Sequence, residues 1–226
     1  DFTPSVARAA SKTDRIDTKP MRLYYNGNVF INHTGMQGHL MESRQFGAEL
    51  LGESSVDADA ELIAAVVECL KGSGLTEFMV SVTHSDIFWG LIDAAGFDDD
   101  EADEIRELIR NKNFFGLDEV LTEKGLSKEI RELFGLLNRM GDIPSDGEYS
   151  AINAYPRIRN AFFYLRELSE LLSVYGVSDY VSFEMGLFGS YKYYTGIIFS
   201  GYGYGSGQPL VKGGRYDRLL SYFGKD

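Results

Sequence analysis

Apolar residues recur along this chain with two different periods, and the change from one to the other divides it. In "SVDADAELIAAVVECLKGSGL" the positions Leu62, Ile63, Val66, Val67 and Leu70 return at helical spacing. Asp residues stand in the first turn, where the macrodipole favours them, and a Gly-Ser-Gly stop follows, so a helix is predicted over about 57–72. Residues 20–31, "PMRLYYNGNVFI", are rich in aromatic and β-branched types and interrupted by "NGN", which predicts strand, turn, strand. Residues 42–52, "ESRQFGAELLG", continue as a strand in which Gln45, Gly47 and Glu49 share one face. Polar side chains on one strand face line a pocket or meet solvent, and the pattern alone leaves both open. "EFMVSVTH" (77–84) reads as a buried strand.

From about 85 to 175 helical periodicity dominates, in "HSDIFWGLIDAAG", "DDDEADEIRELIRNKN", "LDEVLTEKG", "SKEIRELFGLLNRMG" and "YPRIRNAFFYLRELSELLSVYG". Strand character returns in "DYVSFEMGLFG", "YYTGIIFSG" and "QPLVKGG", followed by a short final helix, "RYDRLLSYFG". Strands on both sides of a helical block predict an α+β domain, one sheet flanked by helices and interrupted by a helical insertion. The core then comprises residues 1–84 and 176–226, and the insertion residues 85–175. Trp89 and the stripe Phe162, Phe163 and Leu165 read as packing residues. The acidic run Asp98 to Glu104 reads as a solvated helix start.

Composition narrows the partners. The 226 residues carry 34 Asp and Glu against 22 Lys and Arg, a formal charge of -12. Nucleic-acid binding draws most of its affinity from cations on phosphates, so the balance speaks against a tRNA or DNA partner and for proteins or small molecules. No charge-free run approaches the ~18 residues that cross a bilayer, so no membrane association is expected. One cysteine, Cys69, excludes an internal disulfide, fits a cytoplasmic location, and reads as a structural thiol because no His or cationic neighbour is evident to activate it. The chain opens at "DFTPSVARAA" without Met or a basic-then-apolar leader, as if cut from something longer.

The stretch "GIIFSGYGYGSGQ" (196–208) holds Gly201, Gly203, Gly205 and Gly207, yet Ser206 stands where a GxGxxG loop needs its third glycine. "QPLVKGG" then resumes an extended segment, whereas a phosphate loop opens a helix. The stretch is therefore predicted to be a hairpin connection. His33, His39 and His84 show no zinc spacing, and no GxSxG elbow presents a nucleophile. No metal or cofactor is expected.

Two segments carry more. "RLYYNGNVF" followed by "GHLMESRQFGAELLG" resembles, without a gap, the motif 2 region of class II aminoacyl-tRNA synthetases, specifically histidyl-tRNA synthetase. "DFTPSVARAA" is similar to that family's "PEGTxxxxRA" segment, and "YKYYTGIIF...GGRYDRLL" to its "GLDYYTxTxFE...GGRYDxL" region. The resemblance implies the mostly antiparallel sheet of that class. It also implies a histidine pocket at Asp1, Thr3, Gln45, Glu49, Tyr193 and Tyr194. Asp1 and Glu49 suit an α-ammonium, while Gln45 and the tyrosine hydroxyls offer neutral partners. Arg215 and Asp217 of "GGRYD" either form a structural pair or line the pocket.

The departures are as informative. The family's "FRxE" is "FINH" here, Phe30 to His33, so the arginine that clamps the α-phosphate of ATP is Ile31. The catalytic arginine of "RGLDYY" aligns with Gly189, and the Asp before the tyrosines with Lys192. An aliphatic side chain supplies no bidentate phosphate contact. A synthetase-like chain with the amino-acid pocket and without these arginines resembles the regulatory subunits of ATP phosphoribosyltransferase. That resemblance implies no catalysis by this chain, and a place in a hetero-octamer with the short-form catalytic subunit, in which it self-associates as a dimer. It also implies a role in feedback inhibition by L-histidine, bound either in the ancestral pocket or at a subunit interface. A histidyl-tRNA synthetase fragment and an amino-acid-sensing domain of a larger regulator are the alternatives.

Overall fold

The computed structural model describes residues 2–13, 19–30, 41–145, 150–188, 193–205 and 207–225. The chain divides into two compact units, one of residues 1–58 and 217–226, the other of residues 59–216. Both mix helices and strands, and most strand pairs are antiparallel, so the α+β class holds.

In the first unit, α1 (Thr3–Ala10) accompanies a two-stranded antiparallel ribbon of β1 (Met21–Phe30) and β2 (Glu42–Leu51). Here the expected turn at "NGN" does not occur, and β1 runs unbroken through it. The reason lies on the two faces of the ribbon. Asn26 and Asn28 point outward, where Asn26 Oδ1 accepts from Arg44 Nε at 2.8 Å and Asn28 Nδ2 donates to Glu42 Oε1 at 2.7 Å. Gly27 points inward against the Phe2 ring, whose nearest atom lies 2.7 Å from where a Cβ would stand. The triplet is therefore a strand segment made of cross-strand partners and a site of close ring approach, not a reversal. Phe2 stacks on Tyr25 at 5.0 Å between centroids. The predicted final helix is reduced to one 3-10 turn, Leu220–Phe223, ended by Gly224 at φ 79°. Lys225 Nζ then donates to the carbonyl of Thr13.

The second unit contains a five-stranded sheet in the order β4-β5-β3-β6-β7. Its strands are β3 (Phe78–His84), β4 (Met140–Gly141), β5 (Val181–Glu184), β6 (Ile197–Gly203) and β7 (Val211–Gly214). The β3–β5 pair is parallel and the other pairs are antiparallel. β6 and β7 form the expected hairpin, although Gly201 and Gly203 belong to β6 itself and only the later glycines fall in the connection. β3 is almost wholly buried at the centre, with Val80 and Val82 inaccessible to solvent.

Helix α2 (Val56–Gly72) buries Ile63 and Val67, and leaves Cys69 exposed, so the thiol fills no core position. The helical block is real: α3 (Ser85–Ala95), α4 (Asp99–Arg110), α5 (Phe114–Glu123), α6 (Lys128–Phe134) and α7 (Pro156–Val174). Each of α3 to α6 begins at a side-chain cap. His84 Nδ1 accepts from the Asp86 amide, Asp98 and Glu101 form a capping box, and Asn113 and Ser127 accept from Gly116 and Ile130. The acidic run at 98–104 is thus a helix start. Between α6 and α7 lies a strand that the periodicity does not reveal, β4, two residues long and paired with β5.

Along α7, Ile158, Ala161, Phe162, Leu165, Leu168 and Leu172 form one buried stripe. Phe163 does not belong to it: its position on the helix turns it outward, 52% exposed. Trp89 packs edge-on to Phe88, with the Arg106 guanidinium 5.3 Å from its ring centroid. Leu165→Ala is expected to cost about 2–5 kcal/mol in chemical denaturation, and Phe163→Ala no more than about 0.5 kcal/mol.

Candidate functional site

Of the residues that the sequence singles out for ligand binding, Thr3, Gln45 and Glu49 lie in the first unit, and Tyr193 and Tyr194 in the second. Asp1 lies outside the described residues, as do the altered positions Ile31, His33, Gly189 and Lys192.

In the first unit, the period of two along β2 places Gln45, Gly47 and Glu49 on one face, the inward one. Glu49 is 6% exposed, and Thr3 at the start of α1 donates its hydroxyl to Glu49 Oε1 at 2.7 Å. Burial pushes the Glu49 carboxyl above its ordinary value, and the Thr3 hydroxyl opposes the shift in part. One strand repeat away in each direction, at Gly47, the Tyr25 hydroxyl reaches to 2.2 Å of where a Cβ would stand, so a side chain there would displace it. Gln45 Oε1 is buried and, among the described residues, has no hydrogen-bond partner. An unsatisfied buried acceptor costs about 1–3 kcal/mol, and a bound donor would relieve it. A carboxylate and an amide oxygen on one face form an acceptor site, which suits a ligand ammonium group better than any anion.

In the second unit, Tyr193 and Tyr194 precede β6 with their ring centroids 5.2 Å apart, and Tyr193 meets Tyr216 edge-on at 6.0 Å. The Tyr194 ring lies over Gly214 at the end of β7, 2.7 Å from where a Cβ would stand. Both tyrosines are half-buried, amphipathic rings resting on the "GGRYD" segment.

A further polar cluster is present that the sequence reading did not single out. Asp59, in the first turn of α2, is 5% exposed. Its Oδ2 accepts from the Tyr164 hydroxyl at 2.5 Å and its Oδ1 from Arg215 Nη2 at 3.2 Å. The guanidinium therefore reaches a carboxylate on α2, a partner that the sequence reading did not consider for Arg215. His84 lies edge-on to Tyr164 at 5.3 Å. The signal available in the sequence was spacing: Asp59, Ile63 and Val67 share one helix face, so a carboxylate was placed on an apolar stripe and had to be paired. Among the described residues no group of three or more His, Cys, Asp or Glu is placed to hold a metal ion, and no helix is long and apolar enough to cross a membrane.

A family model described as histidyl-tRNA synthetase matches residues 1–226. An ATP phosphoribosyltransferase regulatory subunit from Acetivibrio thermocellus is 36% identical over 228 residues, which take in 100% of this chain and 54% of that protein. The crystal structure of an ATP phosphoribosyltransferase regulatory subunit/histidyl-tRNA synthetase from Bacillus halodurans matches with a TM-score of 0.88 and 35% identity, over 100% of this chain and 59% of that one. A histidine–tRNA ligase subunit from Alicyclobacillus acidocaldarius matches at 0.82 and 29%, over 100% of this chain and 70% of that one. The chain spans about half the length of the curated relatives it matches.

The raised Glu49 carboxyl makes a signed prediction. A folded-state value above the unfolded one favours the fold below the ordinary carboxylate range, and this contribution is lost as pH rises through the folded value. Glu49→Gln, which keeps an acceptor for Thr3, is therefore expected to be at least as stable as wild type at pH 7. Its advantage should shrink toward pH 4.5 in thermal unfolding followed across that range.

Proposed function

The chain belongs to the histidyl-tRNA synthetase family, and from that premise we propose that it serves as the regulatory subunit of ATP phosphoribosyltransferase, carrying no catalysis of its own. The observation that carries this reading is one of retention beside loss. The buried acceptors Glu49 and Gln45 are kept, while Ile31 occupies the place of the arginine that would clamp ATP. Recognition of an amino acid needs the first set, and adenylation needs the second. The name borne by the Acetivibrio thermocellus relative supports the same assignment.

On this reading the partner is the short-form catalytic subunit, joined in a cytoplasmic hetero-octamer in which this chain pairs with its own kind. The ligand is L-histidine, whose ammonium suits Glu49 and Gln45 of the first unit; Thr3, and Tyr193 and Tyr194 of the second unit, are the further residues that the resemblance assigns to it. Asp1 would complete the set. Residues 85–175 are an insertion in a synthetase-like core made of 1–84 and 176–226. The net charge of -12 opposes any tRNA partner. Histidine inhibits by binding the inactive state of the assembly more tightly, and a coupling of about 1–3 kcal/mol suffices.

Two measurements test the reading. In the assembled transferase, Glu49→Ala should raise the histidine concentration for half-inhibition at least about tenfold, the loss of one charge-assisted contact. Unchanged inhibition would remove this pocket from the regulatory mechanism. The synthetase reading, favoured by the name of the Alicyclobacillus acidocaldarius neighbour, requires ATP activation with Ile31 in place of arginine. The full gene product should show no histidine-dependent pyrophosphate exchange, and exchange above background would favour the synthetase.

A further inference from the structure

We propose that Asp59 is a positioning residue for Tyr193 and Tyr194, acting through Arg215; this rests on the reading that these two tyrosines contact histidine. Neither Asp59 nor Arg215 needs to touch the ligand. Their effect runs through the backbone to which Arg215 is tied.

Residue 215 clasps the segment that leads from the tyrosines into β6. Its amide donates to the Ile197 carbonyl at 2.9 Å, and its carbonyl accepts from the Thr195 amide at 2.8 Å. Between those two contacts lies Gly196, whose carbonyl accepts from the Ser85 amide at 2.9 Å. The aliphatic stem of Arg215 crosses over Gly196, its Cδ 2.7 Å from where a Cβ would be. The two tyrosine rings rest on the immediate neighbours of Arg215: Tyr194 on Gly214 and Tyr193 on Tyr216. A shift of residue 215 therefore moves the bed of both rings at once.

What fixes residue 215 is its buried end. The guanidinium donates to Asp59 Oδ1 with both side chains largely removed from water, 13% and 8% exposed. It also lies 5.8 Å from the Tyr164 ring centroid, and the Tyr164 hydroxyl holds the other Asp59 oxygen. Asp59 itself is anchored in α2, beside the buried Ile63 and Val67. Removing the carboxylate from such a buried pair withdraws the charge that faces the guanidinium, so the arginine would shift from its place. The chain of contacts runs from α2 through Asp59 and Arg215 to Gly214, Tyr216 and the two rings.

The test uses the assembled complex and calorimetric titration with L-histidine. Asp59→Asn keeps an acceptor for Tyr164 and removes the charge that holds Arg215, and should weaken histidine binding about tenfold. Arg215→Gln should do the same, while Arg215→Lys, which keeps the charge and loses the fork, should recover to within about threefold of wild type. Because the two residues act as one unit, the double variant Asp59→Asn with Arg215→Gln should lose about tenfold and not the product of both losses. Unchanged binding in Asp59→Asn, or losses that multiply in the double variant, would overturn the proposal. If Asp59→Asn does not assemble, Tyr164→Phe decides, since it removes one hydroxyl from Asp59 and keeps the ring: a loss of about threefold supports the proposal and none overturns it. Glu49→Ala run in parallel separates this inference from the reading beneath it. Weakening by Glu49→Ala alone sinks the positioning role and leaves the histidine site standing, whereas no weakening by either variant removes both.

Discussion

A carboxylate taken out of water must be met by donors or it will be expelled, and each unit of this molecule is organised around one such group. In the first it is Glu49, on the inward face of β2 with the Thr3 hydroxyl on one oxygen. In the second it is Asp59, with Tyr164 and Arg215 on its two oxygens. The two surroundings differ in kind. Asp59 receives a cation and a phenol, a satisfied arrangement in which removing any member strands the rest. Glu49 has its carboxyl raised by burial, and on the same strand face Gln45 Oε1 is without a hydrogen-bond partner among the described residues. A charge pair of the first kind holds two elements together, while the buried amide oxygen of the second leaves an acceptor that a ligand donor would satisfy.

The same contrast explains how much of the structure was legible in the sequence. Helical periods are long, and the helix that carries the α7 stripe or the helix start in the acidic run Asp98 to Glu104 could be read directly, because local rules and tertiary burial agree there. The "NGN" triplet failed for a physical reason. Turn propensity is a local preference, and here it is outweighed by what only the fold supplies: Arg44 and Glu42 as partners for two asparagines, and the Phe2 ring over Gly27. Phe163 and the final 3-10 turn failed similarly. An apolar residue beside a buried stripe need not belong to it, and the segment "RYDRLLSYFG" lacks a run long enough to sustain an α-helix.

For the site, legibility depended on which signal carried the residue. Thr3, Gln45 and Glu49 were reached by resemblance, and strand alternation alone indicated only that the last two share a face. Asp59 was visible as a letter and misjudged as a role. An Asp in a helix's first turn satisfies the macrodipole whether it faces water or the core, so only its register with Ile63 and Val67 tells the two apart. Its partner Arg215 lies at the far end of the unit's sequence, and no local rule pairs residues so separated.

The balance of retention and loss also has an energetic logic on the proposed reading. Adenylation demands donors aimed at a transferring phosphoryl group, and those are arginines whose removal leaves nothing in their place. Sensing an amino acid demands only differential affinity between two states of an assembly, which a few buried acceptors and two oriented rings provide. On that reading, burial of Glu49 and the hydrogen bond from Arg215 to Asp59 are preorganisation already in place before a ligand arrives. At Ile31 and Gly189, which lie outside the described residues, the sequence offers neither of the arginines that adenylation requires. On that reading a regulatory subunit can arise from a synthetase by keeping differential affinity for the amino acid while the arginines that adenylation requires are replaced.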